Sequence, residues 1–458
     1  MSVIDQSQFA RSLNGRRVVV VGLARTGVAA ARLLVGLGAR VSVSDVKPAS
    51  ELEEAVAALP AGVEFALGGH PLDLFRRAHL VVTSPGVPWD APPLAEARRT
   101  GVEVISEIEL VWRLLPTRWV AVTGSNGKST TTTLIGQMAD AAGLRVVVGG
   151  NIGNPMAGLI DEASGADYLV AEISTFQLEG VRDFQPSVAV VLNVTEDHLD
   201  RHGSFDAYAD LKRRVCAAQG VGDCVVLNDD DPLLLGWGRE GRSRRFAFRA
   251  AGPVDRGAFR HGEQVRWREN GREEPLYDLA ALSGDARRNL ENVLAATCAA
   301  RLMGIAPEAM VDALGRFRGL EHRLEEVATI DGVTFINDSK GTNVGATINA
   351  LKSVEGPVIL IAGGQDKGGD FSPLSGLVAK KARGVVLVGE AAERLARALN
   401  GYAVLERAES LEAAVRAGFR LAKPGEVVLL SPACASFDMF RDFEERGRLF
   451  KAAVRALK

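Results

Sequence analysis

Thr123-Gly-Ser-Asn-Gly-Lys-Ser-Thr130 places two glycines, a lysine and several hydroxyls in one short stretch. Glycine lets backbone N–H groups turn toward an anion, and the start of a following helix adds positive potential there. Lys128 can reach the outer phosphates of a nucleoside triphosphate, and the Ser129 hydroxyl can ligate Mg²⁺. The spacing is a contraction of the usual G-x-x-x-x-G-K-[ST], because Val122 stands where the first glycine belongs. The chemistry expected is an ATP phosphate site formed by Gly124, Ser125, Asn126, Gly127, Lys128, Ser129 and Thr130. The competing reading is a glycine turn with an exposed lysine.

A phosphate loop alone holds Mg²⁺ incompletely. Glu172 ends the apolar run that starts at Tyr168, and a carboxylate at the C-terminal end of a strand beside the loop is where a Mg²⁺ ligand should project. The bland alternative for Glu172 is an acid at a helix N-terminus. A second apolar run, 188–192, leads into a loop rich in acids and histidines, Asn193 to His202. His198 there could ligate a second Mg²⁺ or position a ligand carboxylate, while His202 is expected at the surface. Lys212, fourteen residues past His198, would on its own be read as solvent-facing.

The elements that must carry these groups read as alternating β and α. Strands are expected at 17–21, 40–44, 80–83 and 102–105, with a helix over 27–37. A second series opens with a strand at 118–123, the glycine loop and a long helix through Ala142, followed by strands at 168–171, 188–192 and 224–227. A third follows Gly319, with strands at 357–362, 384–388 and 426–430. The fold expected is α/β in three domains: a Rossmann-like N-terminal domain (1–106), a central P-loop ATPase-like domain (107–319) and a C-terminal Rossmann-like domain (320–458). Residues 242–278 differ, with alternating arginines and an Asn270-Gly271 turn signal; they read as a small antiparallel appendage with a solvated arginine face.

Composition agrees with a folded, soluble protein. Of 458 residues 47% are hydrophobic and 24% charged, and 54 Lys plus Arg against 57 Asp plus Glu give a net charge of −3. Such a balance argues against nucleic-acid binding, which needs a cationic surplus. Four scattered cysteines argue against a disulfide framework or a thiolate zinc site. With no secretory signal and no long apolar run visible, a cytoplasmic protein without membrane contact is expected.

At the N-terminus, Val18-Val-Val-Val-Gly-Leu-Ala-Arg-Thr-Gly27 follows a strand and opens a helix, and Asp45 ends the next strand. Alone this suggests a dinucleotide site, hence an NAD-dependent dehydrogenase. Ala24 departs from that fingerprint where a glycine normally lets pyrophosphate approach the backbone. A glycine turn needed only for packing is the other possibility the residues themselves leave open.

Taken together, the segments resemble the Mur ligases, the ATP-dependent amide ligases of cell-wall precursor synthesis. The likeness rests on residues 123–130, 149–153, Glu172-Ile-Ser-Thr-Phe-Gln-Leu-Glu179, Asn193-Val-Thr-Glu-Asp-His198 and Gly319-Leu-Glu-His-Arg323. It continues through Ile336-Asn-Asp-Ser-Lys-Gly-Thr-Asn343, Gly363-Gly-Gln-Asp-Lys367 and Leu430-Ser-Pro-Ala-Cys-Ala-Ser-Phe-Asp438, in order along the whole chain. The resemblance is strongest to the branch that adds D-glutamate to UDP-N-acetylmuramoyl-L-alanine through an acyl phosphate, and a sister ligase with another amino acid is the alternative. It implies ATP and two Mg²⁺ ions, a CO₂-derived carbamate on Lys212, and a monomer. By resemblance, Ser129, Glu172, His198 and carbamylated Lys212 hold metal, with Lys128, His198 and Lys212 catalytic. Asn289, Asn292, His322, Arg323, Asp338 and Lys340 complete the ATP site. Gly22, Leu23, Ala24, Arg25, Thr26, Gly27, Asp45, Lys47, Ser84, Gly86 and Asn151 hold the UDP-linked substrate. Thr342, Lys367, Ser436, Phe437 and Phe443 hold D-glutamate.

Overall fold

The computed structural model describes residues 5–237, 241–366 and 368–457. They fall into two compact units: residues 5–194, 209–282 and 291–316 (less 238–240), and residues 195–208, 283–290 and 317–457 (less Lys367).

The first unit holds two sheets. In a five-stranded parallel sheet the spatial order is Glu64–Leu67, Arg40–Asp45, Arg17–Val21, Leu80–Thr83 and Glu103–Ser106. Arg17–Val21 buries four consecutive valines, as a strand covered on both faces must. The strand order reverses between Arg17–Val21 and Leu80–Thr83, so a crevice opens where Gly22 and Ser84 leave them. Glu64–Leu67 escapes sequence reading because its four residues are exposed or half-buried.

The nine-stranded sheet runs Arg272–Asp278, Gln264–Glu269, Gly257–His261, Arg244–Arg249, Cys224–Asn228, Val188–Val191, Arg118–Thr123, Tyr168–Glu172 and Val146–Gly150. Val122 pairs with Glu172, and Thr123 with Val191, so the glycine loop, the acid and the 193 loop emerge at one sheet edge. The 242–278 segment is not an appendage. Arg244–Arg249 and Gly257–His261 pair in parallel and extend the sheet, and only the last two strands are antiparallel. Phe246, Phe248, Ala258 and Phe259 are buried, so the arginine alternation describes one face and the apolar residues between them continue the core. Nor is that face simply solvated: Arg266 and Arg268 share Glu273. The Asn270-Gly271 turn forms as expected, both residues left-handed (φ 52° and 73°) between paired Glu269 and Arg272.

The second unit holds a six-stranded sheet ordered Glu325–Ile330, Val333–Asn337, Val427–Leu430, Val358–Gly363, Ala382–Val388 and Val404–Arg407. Its first strand is antiparallel and the rest are parallel, with an apolar cluster on each face. No helix among the described residues is long and apolar enough to cross a membrane.

Candidate functional site

In the first unit, strand Arg118–Thr123 ends at Gly124 and helix Lys128–Ala141 begins after Gly127. Both glycines have positive φ (153° and 85°). A Cβ at Gly124 would come within 2.9 Å of the Leu192 Cβ, and one at Gly127 within 2.2 Å of Asn292 Oδ1, so neither position admits a side chain. Lys128 Nζ donates to the carbonyls of Gly124 and Ser125 at 2.9 Å each, folding the ammonium over the loop it follows. Asn193 braces the loop from the adjacent strand end. Its carbonyl accepts from Ser125 N, its Oδ1 accepts from Asn126 N at 2.8 Å, and its Nδ2 donates to the Asn126 carbonyl. Sequence reading did not single out Asn193 for the site, although its place directly after a strand beside the loop strand was the available signal. Asn292 is brought to this loop, with Thr131 Oγ1 donating to its Oδ1 at 3.4 Å.

Glu172 is the hub of the unit. Its side chain is buried (1% exposed); Ser129 Oγ donates to Oε2 at 2.5 Å and Asn151 Nδ2 to Oε1 at 2.7 Å. A hydroxyl and a carboxylate are hard oxygen donors, and together they suit Mg²⁺. Glu172 thus ends a buried strand with its charge used, and is not merely an acid at a helix start. Lys212 is only 2% exposed, which overturns the solvent-facing reading of a lone lysine. Fully buried lysines are rare because desolvation penalises the ammonium.

Asn151 also lines a cavity of about 670 Å³ bordered by Gly22–Thr26, Asp45, Lys47, Ser84 and Gly86. Ten of the eleven residues expected at the UDP-linked substrate therefore share one cavity. Gly27 is the exception: a Cβ there would sit 1.8 Å from the Gly22 carbonyl, so it serves the close approach of helix to turn. Both Asp45 oxygens accept backbone N–H groups, Oδ2 from Leu23 at 2.6 Å and Oδ1 from Lys47 at 2.9 Å. In a dinucleotide site that acid must be offered to a ribose. Arg25 Nη2 donates to the Gly153 carbonyl and to Asn154 Oδ1, tying the turn to the 150–155 loop. His70 also lines the cavity, its Nδ1 2.7 Å from Ser44 Oγ, and burial lowers its pKa. It went unremarked in the sequence because a lone histidine in a loop carries no pattern.

In the second unit, His198 takes a left-handed backbone (φ 52°), a strained conformation for a non-glycine residue. Its Nε2 lies 3.7 Å from Asp197 Oδ2, which accepts from Asn343 Nδ2 at 2.9 Å. His198, Thr342 and Asn343 border a cavity of about 320 Å³. His202 is half-buried against the Tyr208 ring (centroids 5.7 Å apart), so it is not the surface residue expected. Asn289 ends a short helical turn, with its Nδ2 donating to the Asp285 carbonyl.

His322 (φ 63°) is buried, its Nδ1 2.9 Å from Asn337 Nδ2, and burial lowers its pKa. Lys340 Nζ lies 4.5 Å above the Phe443 ring, which stands nearly perpendicular to the His322 ring. Ser436 is buried and Phe437 is 66% exposed; Lys367 lies outside the described residues. Arg446, unmarked in the sequence, is fully buried and donates to the Ser339 hydroxyl and the carbonyls of Ser339, Cys434 and Ala435. It locks the 339 and 434–435 loops together.

Asp338 is buried with Oδ2 accepting from Ser431 Oγ at 2.7 Å, and burial pushes its pKa up to about 7, with Arg323 acting the other way. The folded chain therefore keeps this proton up to about pH 7, while an unfolded Asp releases it near pH ~4. The folded state binds more protons in that window, so stability falls as pH rises, by roughly 1.4 kcal/mol per unit at most for one site. Asp338→Asn should shrink the fall in urea midpoint between pH 5 and pH 7. Glu107, also pushed up to about 7 by burial, will keep part of it. Identical pH profiles in the two proteins would contradict this assignment.

Three family models match the chain: the Mur ligase MurD-like N-terminal domain over 16–106, the Mur ligase middle domain over 122–300, and the Mur ligase glutamate ligase domain over 322–434. The UDP-N-acetylmuramoylalanine–D-glutamate ligase of Geotalea uraniireducens is 45% identical over 97% of this chain and 98% of its own. The protein of the same name from Acidobacterium capsulatum is 45% identical over 97% of each chain. Among solved structures, the MurF ligase of Thermotoga maritima in complex with ADP aligns over 100% of this chain and 98% of its own, with a TM-score of 0.60 at 16% identity. At that identity the likeness is one of fold.

Proposed function

The chain belongs to the Mur ligase family, and we propose that it joins D-glutamate to UDP-N-acetylmuramoyl-L-alanine while ATP is cleaved to ADP and phosphate. The observation that carries this reading is the shared carboxylate of Glu172. One oxygen takes Ser129 of the glycine loop and the other takes Asn151 of the large cavity. Phosphate loop and substrate cavity therefore converge on a single acid, as phosphoryl transfer from ATP to a bound carboxylate requires.

The substrates divide among the residues accordingly. Gly124–Thr130 and Asn292 bind the ATP phosphates, with Asn289, His322, Arg323, Asp338 and Lys340 assigned to the nucleotide. The cavity residues from Gly22 to Asn151 bind the UDP-linked acid, with the Ala24–Thr26 backbone at the start of helix Arg25–Gly36 facing it. Thr342, Lys367, Ser436, Phe437 and Phe443 are assigned to D-glutamate. The corresponding domains are 1–106, 107–319 and 320–458, and nucleotide-linked substrates fit a cytoplasmic enzyme.

An amide does not form favourably from a free carboxylate in water. The alanyl carboxylate oxygen attacks the γ-phosphorus, the bond to the bridging oxygen breaks, and ADP leaves an acyl phosphate behind. The D-glutamate amine then attacks the acyl carbon, loses a proton, and expels phosphate from the tetrahedral state. Lys128, already turned toward the loop, trades its two carbonyls for phosphate oxygens and follows the charge as it moves. Ser129 and Glu172 would hold Mg²⁺, which when bound neutralises phosphate oxygens. His198 is assigned as a further cation ligand. Lys212 is assigned to carbamylation by CO₂, since replacing a buried ammonium with a carbamate supplies an anionic oxygen donor where burial disfavours the cation.

Phosphate release from ATP with UDP-N-acetylmuramoyl-L-alanine should rise with D-glutamate and stay at background with L-alanine, a diamino acid or a dipeptide. Stimulation by one of those instead of D-glutamate would make the protein a sister ligase.

A further inference from the structure

The large cavity is shaped on one side by the 150–155 loop, which supplies Gly150, Asn151, Gly153 and Pro155 to its wall. The loop leads into a one-turn 3-10 helix, Met156–Leu159, that is buried against the core. The first N–H groups of a helix need outside acceptors. Pro155, in the capping position, has no side chain to provide one.

The acceptor comes from the residue that follows the last strand of the five-stranded sheet. Glu107 opens helix Glu107–Leu114 directly after Ser106, the last residue of the five-stranded sheet. Its carboxylate is 1% exposed, and Oε1 accepts from Ala157 N at 2.6 Å. Oε2 is buried without a hydrogen-bond partner among the described residues. A carboxylate is a costly thing to bury for the sake of a single helical turn, since apolar neighbours would fill the space at less penalty. It gains a purpose if the turn's position matters to what the preceding loop touches.

We propose that Glu107 is a positioning residue for the UDP-linked substrate: it holds the start of the 156–159 turn, and thereby the 150–155 loop, at the height where Asn151 faces both the cavity and Glu172. The loop is otherwise pinned by Asn151 N on the Glu172 carbonyl, Gly150 N on the Asn154 carbonyl, and Arg25 on Gly153. Glu107 is the pin at its C-terminal end. Without that acceptor the buried Ala157 N–H must find a partner by shifting the turn, because leaving it unpaired is expensive. Movement there displaces Pro155, Gly153 and Asn151 in the cavity wall, while the glycine loop keeps its own braces on Asn193.

This inference rests on the cavity holding the UDP-linked substrate, and steady-state kinetics on the full-length enzyme separate the two claims. Glu107→Met keeps the volume and removes both acceptors; Glu107→Gln keeps one. The Met variant should raise KM for UDP-N-acetylmuramoyl-L-alanine about tenfold, with kcat and the KM values for ATP and D-glutamate within about twofold, and the Gln variant should recover most of the loss. A lower melting temperature with an unchanged KM for the UDP-linked substrate, or equal losses toward all three substrates, would overturn the positioning role. Asn151→Ala is the control. If it raises that KM and Glu107→Met does not, Glu107 is structural only; if neither does, the cavity assignment falls and the proposal with it. Should Glu107→Met be too unstable to assay, the Gln variant must still show a selective rise in that KM of about two- to threefold, and a unit ratio overturns the proposal.

Discussion

Lys128→Ala should lower kcat about a thousandfold or more, roughly 4 kcal/mol of transition-state stabilisation, with little change in melting temperature. The size follows from the role: a cation placed where phosphoryl charge develops acts in a partly water-excluded loop and needs no rearrangement of solvent. The small effect on stability follows from the braces. Lys128 contributes two hydrogen bonds to the loop carbonyls, but Ser125 and Asn126 stay tied to Asn193, and Gly124 and Gly127 keep their backbone shape. Melting curves and single-turnover phosphate release together check this. Turnover within tenfold of the parent would remove the loop from the chemistry.

Glu172→Gln should cost at least about a hundredfold in kcat and abolish stabilisation of the protein by Mg²⁺. The amide matches the carboxylate in shape but not in charge. Glu172 accepts from two donors, so whichever way the amide points, its NH₂ faces Ser129 or Asn151 where an acceptor stood. With Asn151 the result is donor against donor, which frees the cavity side of the link. The amide fills the same volume and can turn its oxygen to Asn151 and its NH₂ to the Ser129 hydroxyl, so the magnesium-free variant should melt close to the parent's temperature. A variant that melts well below the parent and still responds to Mg²⁺ would mean that Glu172 is a structural acid.

These two residues were legible because their chemistry is local or follows from sheet logic. The glycine loop is a contiguous string, and Glu172 ends an apolar run that could only be a buried parallel strand. Alignment of strand ends then brings Asn193 to the same edge, through the pairing of Thr123 with Val191. Lys212 shows the limit: nothing in a lone lysine on a helix says that its side chain is buried, since burial is decided by elements far away in sequence. Glu107 is a similar case, its N–H donor lying some fifty residues further on. Residues 242–278 misled for another reason. Alternating arginines mark one face of a strand, and the opposite face, with Phe246 and Phe248, continues the central core. Short strands with exposed or half-buried residues, Glu64–Leu67 and Val404–Arg407, carry too little apolar pattern to register. His202 is expected at the surface from its polarity, which does not reveal the contact with Tyr208, six residues on in the following helix Phe205–Arg213.

Crystals of the protein soaked with a non-hydrolysable ATP analogue and Mg²⁺ test the central claim most directly. The account expects triphosphate density against the amides of Gly124–Thr130, with Lys128 Nζ moved from the loop carbonyls onto phosphate oxygen and a cation at Ser129 and Glu172. A bare loop, with the triphosphate bound elsewhere in the protein, would contradict it.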